Sequence, residues 1–159
     1  MKALVLLGSA VALSLLLVTN QGVGRADDKA GASVVKLEHL KWSQFQDRLK
    51  TKTAKYTLVD AWATTCGPCK KNFPHLVEMH HKFGSKGLNV ISLTLDDPTD
   101  EKAVAEAEKF LEEKKAVFTN VILDETFGDG YDKLEINAIP AVFLIGPDGK
   151  IVRSGLRGD

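Results

Sequence analysis

The chain is poor in cysteine: only two are present, Cys66 and Cys69. There is no second CxxC and no Cys/His pair at ligand spacing. A tetrahedral zinc site, which takes four ligands, is therefore excluded. Charge of one sign is also missing, since 21 Lys and Arg balance 21 Asp and Glu. Nothing in that balance suggests a nucleic-acid or anionic-membrane partner. No internal repeat, low-complexity tract or second domain boundary interrupts the sequence. No histidine follows His81, so a copper-relay arrangement, which needs one far downstream of its cysteines, is not supported. His39, His75, His80 and His81 lack a thiolate or acidic partner at ligand spacing and read as surface or groove residues, with no metal expected.

The N-terminus has a distinct layout. Met1-Lys2 precedes a sixteen-residue apolar stretch, Ala3 to Val18, and Gly24-Arg25-Ala26 offers small residues at a cleavage site. One positive charge, an apolar core and a small-residue cut describe a secretory signal, with cleavage expected after Ala26. The core is shorter than the ~20 residues of a spanning helix and is diluted by Gly8, Ser9 and Ser14, so no stable membrane insertion is expected after cleavage. No cysteine lies near the signal, which excludes a lipid-modified N-terminus. Removal of residues 1–26 takes away Lys2 and Arg25 and leaves a net charge of −2. Residues 27–33 are polar and Gly/Ala-rich, a flexible lead-in to one domain over 34–159, long enough for a real core. The expected location is exported, periplasmic or otherwise extracytoplasmic.

Within that domain the periodicity predicts alternating strands and helices. Val34–Leu37 reads as a short edge strand. Trp42, Phe45 and Leu49 then mark an amphipathic helix of about three turns. Leu58–Ala63 has the length and composition of a buried central strand. A helix follows Cys66 to about Phe83, with Leu76, Val77, His80 and Phe83 on one face, Pro74 kinking it and Gly84 or Gly87 ending it. Leu88–Leu95 is another strand. Asp97-Pro98 reads as N-cap and first helical position of a helix whose stripe is Val104, Ala107 and Leu111 and whose glutamates face water. Asn120–Leu123, a short irregular helix over Phe127–Leu134, and strands Ala141–Ile145 and Ile151–Ser154 around a Gly146-Pro147-Asp148-Gly149 turn complete the pattern. The fold class is α/β with a central mixed β-sheet flanked by helices.

The cysteines are spaced Cys66-Gly67-Pro68-Cys69, directly after the apolar run Tyr56–Trp62. The first sulfur lies at a helix N-terminus, where unpaired N–H groups favour a thiolate. The second, one turn along, can resolve a mixed disulfide. As an inert staple the pair would close too short a loop to constrain the unfolded chain much. A CxxC at the end of a strand in a βαβ pattern reads as a redox pair. Asp60, inside Leu58-Val59-Asp60-Ala61-Trp62, places a carboxyl among apolar side chains. Desolvation there raises its pKa and suits it to take a proton from Cys69; the alternative is a structural Asp bonded to nearby backbone.

These residues resemble the thioredoxin superfamily, and within it the exported TlpA/ResA-like thiol-disulfide oxidoreductases. The resemblance rests on Val59–Lys71, Pro74, Ile139-Pro140 and Pro147-Asp148-Gly149-Lys150, and covers about residues 34–155. The helical insert over about 97–115 also resembles the exported branch. The resemblance implies that Cys66 is the exposed attacking cysteine, Cys69 the buried resolving one and Asp60 the buried acid. It implies that Ile139-Pro140 is a cis-proline segment presenting backbone to a substrate strand beside Gly67 and Pro68. It further implies client protein disulfides, a membrane-bound thiol electron donor and no cofactor; reduction of an apocytochrome's cysteines is the family's best-known task. A Gly-Pro pair between the cysteines, as in thioredoxin with its potential of about −270 mV, points to a reductant rather than an oxidant.

Three departures stand out. Thr65 replaces the tryptophan most relatives carry before the first cysteine, and Asn72 stands where many have Glu. The chain stops at Asp159, soon after Ile151–Ser154, where the family continues into a closing C-terminal helix. The expectation is an underpacked sheet face and low stability, unless the chain is a fragment or the helix around Trp42 compensates. Two rival readings remain: a non-catalytic thioredoxin-like binding module with a structural disulfide, and a thiol-dependent peroxidase. The second wants Thr three positions before the attacking cysteine, where Ala63 stands.

Overall fold

A computed structural model describes residues 34–126 and 128–155. The expected signal (1–26) and lead-in (27–33) lie outside the described residues. Six strands form one mixed sheet in the order β1-β4-β3-β2-β5-β6. They are β1 (Leu37–Leu40), β2 (Tyr56–Trp62), β3 (Leu88–Thr94), β4 (Thr119–Leu123), β5 (Ala141–Ile145) and β6 (Ile151–Ser154). The first four run parallel, whereas β5 is antiparallel to β2 and β6 to β5. The helices are α1 (Trp42–Leu49), α2 (Gly67–Phe83), α3 (Glu101–Glu113) and α4 (Asp129–Leu134).

Alternation along the strands sorts the core into two layers. Leu58, Trp62, Val90 and Ile122 pack on one face against Cys69, Phe73 and Leu76 of α2 and Ala107 and Leu111 of α3. Val59, Ala61, Ile91, Leu93, Val121, Phe143 and Ile145 pack on the other against Phe45 and Leu49 of α1. β2 is buried on both faces, as a central parallel strand must be, which is why it reads as a nearly continuous apolar run. Trp62, Phe73 and Phe110 meet with ring centroids 4.9–5.3 Å apart and lock α2 and α3 onto the sheet. On the opposite face an open groove of about 410 Å³ runs between α1, α4 and the β5–β6 end of the sheet, with Phe45, Leu49, Phe143 and Ile151 among its walls.

Local expectations shift in three places. The edge strand is Leu37–Leu40, not Val34–Leu37, because its position is set by parallel pairing with Asn120–Leu123 of β4; Leu37 is buried and Val34 is 86% exposed. α1 is a two-turn helix, since Lys50 is extended and bridges to Asp148 across the chain. α2 ends at Phe83 as expected, with Gly84 at its C-cap, and Gly87, at φ 97°, ends the 3₁₀ turn that follows. The third shift corrects the cap of α3. Asp97 accepts from the N–H (2.8 Å) and hydroxyl (2.7 Å) of Thr99, closing a local turn of its own. Asp100 is the N-cap, accepting from Lys102 N–H at 3.0 Å and Ala103 N–H at 3.2 Å.

This cap correction makes a measurable difference. Asp100→Ala is expected to cost about 1 kcal/mol, because two helix donors lose their partner, whereas Asp97→Ala should cost less. Urea midpoints of the two variants check it; a larger loss at Asp97 would return the cap to the earlier position.

Candidate active site

β2 ends at Trp62, the chain turns through Ala63, Thr64 and Thr65, and α2 begins at Gly67. Cys66 is the N-cap of α2, and its Sγ accepts the Cys69 N–H at 3.2 Å. Cys66 and Cys69 form a disulfide with Cα atoms 5.3 Å apart. Their exposure differs sharply: Cys66 is half-buried between exposed Thr65 and exposed Gly67 and Pro68, whereas Cys69 is 1% exposed beneath the helix. Only the first sulfur is open to a large partner. The helix N-terminus contributes on the order of 1 kcal/mol to a negative charge at that position.

Pairing in the sheet brings the second segment to the same end. Ala61 of β2 faces Ala141 of β5, so Ile139 and Pro140 lie beside the exit of β2, where the cysteines begin. The Ile139–Pro140 peptide bond is cis. Ile139 packs against both layers of the core.

Asp60 lies on the α2 face of β2, between Leu58 and Trp62 in its own strand and flanked by Ser92 of β3 and Val142 of β5. It is 6% exposed, and its Oδ1 has no hydrogen-bond partner among the described residues. Burial pushes its pKa from 3.8 up to about 7. The alternative of a satisfied structural Asp does not describe that oxygen. By alternation along β2 the side chain lies on the same face as Leu58 and Trp62, the layer that Cys69 joins.

One cluster was not legible in the sequence. Asp96, two residues beyond β3, accepts the Thr64 N–H on both carboxylate oxygens (3.1 and 3.0 Å) and the Thr64 hydroxyl at 2.7 Å. The Thr94 hydroxyl donates to its Oδ2. Asp96, Thr64 and Thr94 are all buried. The only sequence signal was a polar residue at the end of an apolar strand; its partner depends on the β2–β3 register.

His75, His80 and His81 lie on α2, with His80 against Phe118 at 5.3 Å. Burial and the neighbouring His81 lower the His80 pKa.

The whole arrangement has counterparts. The profile of the AhpC/TSA family matches residues 30–154. The chain belongs to the AhpC/TSA family. Among similar proteins, thiol-disulfide oxidoreductase ResA of Bacillus subtilis is 30% identical over 100 residues, covering 62% of this chain and 51% of its own. ResA of Bacillus cereus is 32% identical over 104 residues, 65% of this chain and 56% of its own. The chain thus spans about half the length of the curated relatives it matches. Of solved structures, the thioredoxin domain of a Bacteroides vulgatus thiol-disulfide oxidoreductase superposes with a TM-score of 0.57 at 31% identity, covering 67% of this chain and 73% of that one. A Chlorobium tepidum protein described as a thiol:disulfide interchange protein DsbE gives 0.54 at 31% identity, covering 65% and 68%. This AhpC/TSA member therefore has the thioredoxin-like fold, with the disulfide at the C-terminal end of its central strand.

Proposed function

We propose that the protein is an exported thiol-disulfide oxidoreductase that reduces protein disulfides. The observation that carries this is the asymmetry of the pair: an accessible Cys66 at a helix N-cap, bonded to a buried Cys69. In the reduced form the Cys66 thiolate attacks one sulfur of a client disulfide. The Cys66–client bond forms and one client thiolate leaves. Cys69, its proton taken by Asp60, then attacks Cys66 Sγ, re-forming the Cys66–Cys69 bond and releasing the second client thiol. Two electrons pass from the dithiol to the client, and a thiol donor at the membrane restores the pair. Gly67 and Pro68, between the two cysteines, and Ile139 and Pro140, just before β5 pairs with the end of β2, are assigned to holding the client backbone, laid alongside as an added strand. The ResA and DsbE names of the relatives, and the signal-like residues 1–26, support export and client reduction.

Equilibration with glutathione and dithiothreitol buffers, followed by thiol titration, tests the reading. Two thiols per chain should titrate after mild reduction, with a potential close to the thioredoxin value of about −270 mV, and the reduced protein should reduce insulin. A bond that resists mild reductant would instead indicate a structural disulfide in a binding module. Rapid consumption of hydrogen peroxide with no insulin reduction would indicate a peroxidase.

A further inference from the structure

The chain between the sheet and Cys66 has little to hold it. Beyond Trp62 the β2–β3 ladder makes one more bond, Leu95 N–H to Trp62 O at 2.8 Å, and the backbone then leaves the sheet. Thr64 N–H is a buried donor with no strand beside it. Asp96 accepts it on two oxygens, takes the Thr64 hydroxyl as well, and is held in turn by the Thr94 hydroxyl. Immediately above, Cys66 N–H closes a turn onto Ala63 O at 3.0 Å, and Lys70 N–H bonds Cys66 O at 3.1 Å to start α2. One exposed residue, Thr65, separates the gripped position from the sulfur.

We propose that Asp96 is a positioning residue for Cys66: through Thr64 it fixes the turn from which the attacking sulfur projects onto the N-terminus of α2. The inference rests on the reading of Cys66 as the attacking thiol. Asp96 makes none of its hydrogen bonds to the sulfurs and acts through Thr64. Asp96 also lines a small cavity together with Glu125 and Tyr131, and burial and Asp96 together raise the Tyr131 pKa. A purely electrostatic role predicts the opposite sign from a positioning role. Removing a negative charge near Cys66 would favour its thiolate; freeing the turn lets Sγ drift from the helix donors and disfavours it.

The test is iodoacetamide alkylation of Cys66 in the reduced full chain as a function of pH, with the modified residue identified by peptide mass. Thr64→Val keeps the branched shape and every charge but removes the hydroxyl donor. It should slow alkylation at pH 7 by about threefold to tenfold and move the half-maximal pH upward, since a tenfold loss of thiolate corresponds to about one pH unit. Asp96→Asn, which keeps one acceptor oxygen and loses the negative charge, should act in the same direction but less far, and Thr64→Ser should restore the wild-type profile. A profile unchanged in Thr64→Val and Asp96→Asn, or a downward shift in Asp96→Asn, overturns the proposal. If Asp96→Asn does not fold, Thr64→Val still decides. Alkylation of wild type at Cys69 in place of Cys66 would sink the underlying assignment, a result distinct from an unchanged profile at Cys66.

Discussion

Cys69→Ser is expected to accumulate a stable mixed disulfide through Cys66, and Cys66→Ser to accumulate none. The expectation follows from access and charge together. Cys66 is half-buried between exposed neighbours and accepts a helix N–H, whereas Cys69 is 1% exposed under α2. A client disulfide, carried on a polypeptide, reaches only the first sulfur. Once attached, the bond is broken by a neighbouring thiol one turn along, and serine cannot supply it. Both variants should lose insulin reduction by at least about a thousandfold, as removal of a nucleophile does when the groups act as a unit. What separates them is the trapped species, read by non-reducing electrophoresis and mass. Trapping through Cys69 in Cys66→Ser would reverse the assignment of roles.

How much of this could be seen in the sequence varies with the range of the interaction. The cysteine pair, β2 and the buried Asp60 were legible because each is local: a CxxC follows a strand, and a carboxyl sits two residues from Leu58 and Trp62 in an apolar run. The β5–β6 hairpin was legible for the same reason, its turn being spelled by Pro147-Asp148-Gly149. β1 slid by three residues because its strand is chosen by β4, 83 positions away, and not by its own apolar content. The α3 cap slid from Asp97 to Asp100 because two candidate aspartates compete, and Thr99 gives Asp97 a local turn that occupies its carboxylate. Asp96 was invisible as a member of the site. Its partner Thr64 is 32 residues away, and only the parallel register that sets Trp62 beside Thr94 brings them together.

Asp60→Asn should change how stability depends on pH, by an amount that few single substitutions reach. In the folded chain burial holds the Asp60 pKa at about 7, against 3.8 for an ordinary aspartate. Between pH ~4 and ~7 the folded state therefore keeps a proton that the unfolded state has released. Stability contributed by the neutral carboxyl is complete below the unfolded value, declines as pH rises through this window, and is gone above about 7, where both states are ionised. A shift of roughly three pH units at ~1.4 kcal/mol each gives a decline of about 4 kcal/mol. Asparagine occupies the same space and does not titrate. The stability of Asp60→Asn relative to wild type should thus rise by about 4 kcal/mol from pH 4 to pH 8. The oxidised protein is the right one to unfold in urea, because Cys66 and Cys69 are bonded and add no titration of their own. Catalysis should move the other way: without a proton acceptor beside Cys69, resolution of the mixed disulfide slows across pH 6 to 9 while the first attack by Cys66 stays nearly intact. Parallel stability curves for the two proteins, with equal insulin-reduction rates over that range, would leave Asp60 with neither role.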